Sequence, residues 1–181
     1  MKFRTKVLMI LVLVMTFSCN EQKTEKAVEV ENTEKPIEKS KKLVFDVDLE
    51  TSSPDDFRFF ANNIFLNNSQ FMNLSVSHKL NSNETSKKMH FEFPEGVQPD
   101  FQIGFALGVK NEKSVKINSI AISYGDLEYS IPSNDLVKYF KWNQFVDYDN
   151  ETGTLKTKKV DNRLNPIIFL RNPYVEKISN Q

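Results

Sequence analysis

From Leu43 onward, apolar and polar residues exchange places with a period of two. Leu43, Phe45, Val47 and Leu49 alternate with Val44, Asp46 and Asp48. Met72, Leu74, Val76, His78 and Leu80 alternate with Asn73, Ser75, Ser77 and Lys79. Met89, Phe91 and Phe93 alternate with Lys88, His90 and Glu92 until Pro94 ends the run. Phe101, Ile103, Phe105, Leu107 and Val109 alternate with Gln102, Gly104, Ala106 and Gly108. Successive side chains of a strand leave opposite faces of its sheet, so each run predicts a strand with one face on a core. Val115 and Ile117 are out of phase with Ile120, Ile122 and Tyr124, which predicts a bulge across Asn118–Ser119. Tyr124-Gly125-Asp126-Leu127 reads as a two-residue hairpin turn into Leu127, Tyr129 and Ile131. Further strands are predicted around Trp142–Tyr148, Thr154–Val160 and Pro166–Leu170.

Two segments bring in the helical period. Ser53-Pro54-Asp55-Asp56 has the form of a helix start, and Phe57, Phe60, Ala61 and Ile64 follow at helical spacing. Asn62-Asn63 and Asn67-Asn68 are poor helix interior and Phe57-Arg58-Phe59 alternates, so a strand is preferred there. Ser133–Phe140 is expected to form a short helix capped by Ser133, with Leu136 and Phe140 on its buried face. Residues 43–181 carry 13 Phe, 5 Tyr and 1 Trp, an aromatic load that favours strands. Some nine short strands separated by turns predict an all-β domain of two packed antiparallel sheets with one short helix.

The first 42 residues follow a different logic. Lys2, Arg4 and Lys6 precede the apolar run Val7–Phe17, then Ser18 and Cys19, the single cysteine of the chain. As a helix at about 1.5 Å per residue the run covers roughly 16 Å, half of a hydrocarbon core of about 30 Å. It is too short to span and suits the apolar part of a secretion signal. The layout resembles the signal of bacterial lipoproteins cleaved by signal peptidase II, in which a small residue before the cysteine admits the peptidase. That resemblance implies a mature chain starting at Cys19, with a diacylglyceryl group on its thiol and anchorage in the bacterial cell envelope, at the outer membrane. Thr16 and Phe17 depart from the stricter Leu-(Ala/Ser)-(Gly/Ala)-Cys box of that family. Asn20–Lys42 holds six lysines, six glutamates and no aromatic residue. Such a segment buries too little apolar surface to offset chain entropy and predicts a disordered tether with a reach of roughly 25–30 Å. The expected plan is a signal peptide over 1–18, lipidated Cys19 and tether over 19–42, and a β-sandwich over 43–181.

Charge narrows the partners. The chain has 24 basic and 24 acidic residues, and loss of residues 1–18 removes three basic and no acidic ones, leaving a net charge of −3. Nucleic-acid binding needs a basic footprint that releases counterions, and this chain offers none. A second, electrostatic hold on anionic lipid is missing for the same reason, so acyl chains on Cys19 must carry the membrane attachment. With Cys19 acylated, no thiol remains for a disulfide, a metal site or a nucleophile.

From Phe91 onward, Phe91-Glu92-Phe93-Pro94, Phe101-Gln102-Ile103, Val115–Ile122 and Asn165-Pro166-Ile167-Ile168 follow in an order that resembles the jelly-roll domains of bacterial envelope and glycan-handling proteins. The resemblance covers roughly half the chain and implies a jelly-roll-like sandwich. Those domains often carry an Arg and an Asp-Pro in the strand matching residues 101–107, where this chain has Gln102 and Ala106, so no functional residue carries over.

Motifs of catalysis are sparse. No nucleophile elbow, phosphate-cradling glycine loop or zinc helix occurs. His78 and His90 are the only histidines, and no cysteine or close carboxylate completes a metal set with them. Asp147, Asp149 and Glu151 place oxygens like the opening of a calcium loop, but Gly153 comes one place late and Lys158 stands where a bidentate Glu belongs. A solvated hairpin turn is the expectation there, with structural calcium as the lesser reading. Asp46 and Asp48, two apart on one strand face, and the neighbours Asp55 and Asp56 are acid pairs that do not stand out from solubilising charge. Glycoside hydrolysis would be told by their separation in space. Trp142 stands amid Tyr139, Asn143 and Tyr148, a mixture suited to stacking on a sugar ring and binding its hydroxyls, against the commoner role of a core tryptophan. The function expected is thus a non-catalytic, lipid-anchored envelope protein that binds glycan. A structural or assembly lipoprotein that contacts an envelope protein is the alternative, and a small glycan hydrolase comes third.

Overall fold

The structure, a computed structural model, describes residues 41–66, 71–81 and 84–181. The predicted signal peptide, Cys19 and the tether as far as Ser40 lie outside the described residues. The strands are β1 (Val44–Thr51), β2 (Asp56–Leu66), β3 (Phe71–Lys79), β4 (Ser86–Glu92), β5 (Val97–Ala106), β6 (Ser114–Tyr124), β7 (Leu127–Pro132), β8 (Phe140–Trp142), β9 (Val146–Asp149), β10 (Thr154–Thr157) and β11 (Ile167–Leu170). Two short helices, α1 (Leu136–Tyr139) and α2 (Asn172–Ser179), accompany them.

All strand pairs are antiparallel, and they form two sheets. One runs β4-β1-β6-β10-β9, with β7 and β10 sharing the free side of β6; the other runs β3-β2-β5-β11-β8. The chain changes sheet between β1 and β2, β3 and β4, β4 and β5, and β5 and β6. The order 4-1-6 in one sheet is therefore repeated as 3-2-5 in the other, the wound connectivity of a jelly-roll-like sandwich.

Alternation builds the core between the sheets. Phe45, Phe57, Phe59, Phe91, Phe93, Phe105 and Phe140 are fully buried. Phe59 sits at the centre, stacked on Phe45 at 4.0 Å and on Phe105 at 4.3 Å, with Phe91 meeting it edge-on at 5.0 Å. Each such ring contributes about 1.5–3 kcal/mol by leaving water. The predicted bulge is present: Asp48 faces Ser119 while Leu49 faces Ile117, so Asn118 is the extra residue and both halves of β6 keep their apolar side inward. The hairpin turn is present too, with Gly125 at φ 58° joining Tyr124 to its partner Leu127.

Segment 56–66 is the strand that alternation favoured. Three local readings need correction. The strand expected over Trp142–Tyr148 is two strands in different sheets, β8 and β9, with a turn at Asn143–Phe145. The helical segment at 133–140 is a 3-10 turn, Ser133–Asp135, running into α1. Pro132 stands at its cap position without a side-chain bond, and Phe140 is buried as the first residue of β8. The strand expected to reach Val160 stops at Thr157, and Val160 keeps only an isolated bridge to Arg163. Helix α2 was not foreseen: it starts with Pro173 in its first turn and buries Val175 and Ile178.

Candidate functional site

The residues singled out around Trp142 do not form one platform. Trp142 shares the inward side of β8 with buried Phe140 and is half-buried at the rim of the core, its ring 4.9 Å from that of Tyr148 across the sandwich. The amide of Asn143 is occupied: its Nδ2 donates to Asn165 O at 2.7 Å, and its Oδ1 accepts from the N–H groups of Phe145 and Ile167. Tyr139 belongs to a separate cluster, 4.4 Å from Tyr174 and 6.1 Å from Tyr129. Trp142, Tyr148 and Asn143 thus close the sandwich edge and turn the chain between sheets.

The charged candidates are also dispersed. Asp147 pairs with Lys158 at 2.5 Å, and Asp149 with Lys156 at 3.0 Å. Asp149 also accepts the N–H groups of Glu151 and Thr152, and the Lys156 ammonium leads the causes that hold its carboxyl below the usual range. Glu151 is exposed on the hairpin, whose Gly153 takes φ 67°. Among the described residues no three His, Cys, Asp or Glu side chains gather as a metal set. His78 and His90 lie in opposite sheets. His78 meets the edge of Phe91 at 6.1 Å. His90 bonds Asp46 at 2.8 Å, and that bond raises its pKa. Asp48 accepts from Asn118, and Asp56 pairs with Lys110 at 3.0 Å.

Asp55 carries a polar knot that the sequence did not announce. Its carboxylate and the Lys113 ammonium, 1% and 0% exposed, meet at 2.5 Å. Lys113 Nζ also donates to Leu107 O, while the N–H groups of Lys110 and Asp56 donate to the carboxylate. Gly108, at φ 84°, makes room for it, since a Cβ there would lie 2.2 Å from Asp55 Cγ. The knot ties the β1–β2 turn to the β5–β6 connection, and every buried polar side-chain atom described has a partner.

The two outward faces differ in kind. On the six-stranded sheet acids and bases interleave, and several pair, as in His90–Asp46 and Lys42–Glu92 at 2.7 Å. The outer face of the five-stranded sheet is built otherwise. One row across it reads Ser75, Phe60, Gly104, Phe169, Lys141, and the next reads Ser77, Arg58, Ala106, Ile167. The Phe60 ring lies over Gly104, where a Cβ would come within 2.2 Å of it, and Phe169 meets that ring edge-on at 6.2 Å. Both phenylalanines remain partly exposed. Asn62 Nδ2 donates to Gln102 Oε1 at 3.2 Å, and Arg58, Phe60, Asn62, Asn73, Asn165 and Ile167 line a shallow depression of about 310 Å³. The sequence does hold a signal for these rings. Phe59-Phe60 in a strand forces one ring outward, as does the unbroken apolar run Ile167–Leu170.

Comparison with protein-family models, with characterised proteins and with solved structures returns no match for this chain. Among the described residues no helix is long and apolar enough to cross a membrane.

Proposed function

We propose that this protein is a non-catalytic lipoprotein of the bacterial envelope, held by acyl chains on Cys19, and that it binds glycan on the outer face of its five-stranded sheet. The observation that carries this reading is the row Phe60–Gly104–Phe169 with its border of amides and hydroxyls. Sugar rings present apolar C–H faces to an aromatic ring while their hydroxyls need donors and acceptors, and Asn62, Gln102, Asn73, Ser75 and Ser77 surround the two rings. A glycan is a better occupant than a protein here because the aromatic patch is narrow and edged by amides, where protein-binding patches are broad and apolar. Hydrolysis is disfavoured by the placement of the acids: Asp46, Asp48, Asp55 and Asp56 each bind a different basic or amide group.

The test is retention of the full-length, detergent-solubilised protein on a panel of immobilised polysaccharides. Phe60→Ala and Phe169→Ala are each expected to weaken binding on the order of tenfold, equivalent to about 1.4 kcal/mol. Trp142→Ala is expected to lower the unfolding temperature and leave the affinity of the folded fraction unchanged. Unaltered retention in both phenylalanine variants would remove this face from consideration.

A further inference from the structure

The charge on the same face narrows its ligand. Arg58 and Lys141 stand exposed at either side of the two rings, and neither makes an ion pair among the described residues. Lys79, opposite Asp56 on β3, adds a third exposed cation to this face, while elsewhere Lys42, Lys87, Lys110, Lys113, Lys156 and Lys158 each meet a carboxylate. Asp56, a carboxylate on this face at the end of β2, is held by Lys110 at 3.0 Å. In a domain whose net charge is not basic, these cations flanking an aromatic row form a local positive field with no ion-pair partner among the described residues.

Resting on the glycan reading above, we infer that the ligand is an acidic glycan whose uronate carboxylates meet Arg58 and Lys141 while its ring faces lie on Phe60 and Phe169. The arginine fork matches a carboxylate with two parallel N–H donors, and lysine supplies a point charge. The two cations lie on β2 and β8, three strand spacings or about 14 Å apart across the sheet, so an extended chain is needed to reach both. A single small acid would engage only one.

The full-length protein in detergent is measured against polygalacturonate and against the same polymer fully methyl-esterified, which keeps the sugars and removes the charge. Tighter binding to the acidic form is expected, by about tenfold, falling as salt rises. Arg58→Gln and Lys141→Gln should each weaken polygalacturonate binding about threefold, as fits exposed charge pairs. Neither should alter binding of the esterified form or the unfolding temperature, because neither side chain holds an ion pair among the described residues. Equal binding of both polymers, with Phe60→Ala still damaging, would overturn the acidic assignment and leave the glycan reading standing. Binding of neither polymer, with an envelope protein retained through Phe60 instead, would overturn both.

Discussion

Lys113 carries its charge to a place that water does not reach. Burial alone pushes the Asp55 carboxyl up. The Lys113 ammonium and the N–H groups of Asp56 and Lys110 outweigh it and hold the group below the usual aspartate range. Such a pair is costly to break from one side, because the partner stays behind as a buried, uncompensated charge. Asp55→Asn and Lys113→Met are each expected to cost about 3–5 kcal/mol in urea unfolding, and the double variant clearly less than the sum. The lowered folded pKa sets the sign with pH. The stabilisation is complete above the unfolded aspartate value of about 3.9 and is lost as pH falls through the lower folded value. Below about pH 4 the wild-type midpoint should therefore drop more steeply than that of Asp55→Asn. Nothing in the local sequence disclosed this pair, since its partners stand 58 residues apart.

At the scale of elements, the strands that alternation predicted are those whose inward side chains reach the shared core. The bulge at Asn118 was legible because a single extra residue shifts the apolar phase, and a strand with one buried face shows that shift in its sequence. The division between β8 and β9 was not, because the Asn143 turn is held by bonds to Asn165 and Ile167, more than twenty positions away. Helix α2 was hidden for a related reason. It buries just Val175 and Ile178, with Tyr174 packed at the core's edge, too short a stretch to show a helical period, and it packs on β5. Truncation after Arg171 should therefore cost about 3 kcal/mol or more, for two apolar side chains at about 1.5–3 kcal/mol each, read as a fall in unfolding temperature.

For the whole molecule, the proposed anchor and the proposed site lie far apart in the chain, and they fail independently. Cys19→Ala is expected to move the protein from the membrane to the soluble fraction and to abolish palmitate labelling, with glycan binding by Phe60 and Phe169 unchanged. A variant that stays in the membrane fraction, with no acyl chain found on the wild type, would end the lipoprotein proposal. The contrast between the two outer faces is a property of the whole fold. One sheet presents interleaved acids and bases, and the other sets Arg58 and Lys141, without an ion pair among the described residues, around an aromatic row.

Period-two patterning by itself determined the fold class, most of the strands, the bulge and the β6–β7 turn, because each depends on which neighbours along the chain face one core. Composition fixed the balance of charge and the single thiol. Only the tertiary structure decided which outward residues stand side by side. Phe60 and Phe169 are 109 positions apart and meet because β5 lies between their strands with a glycine under the ring. Trp142, which composition made conspicuous, was turned inward by its place beside Phe140 in β8. Strand pairing is long-range, so a surface assembled from five strands has no signature in any one of them.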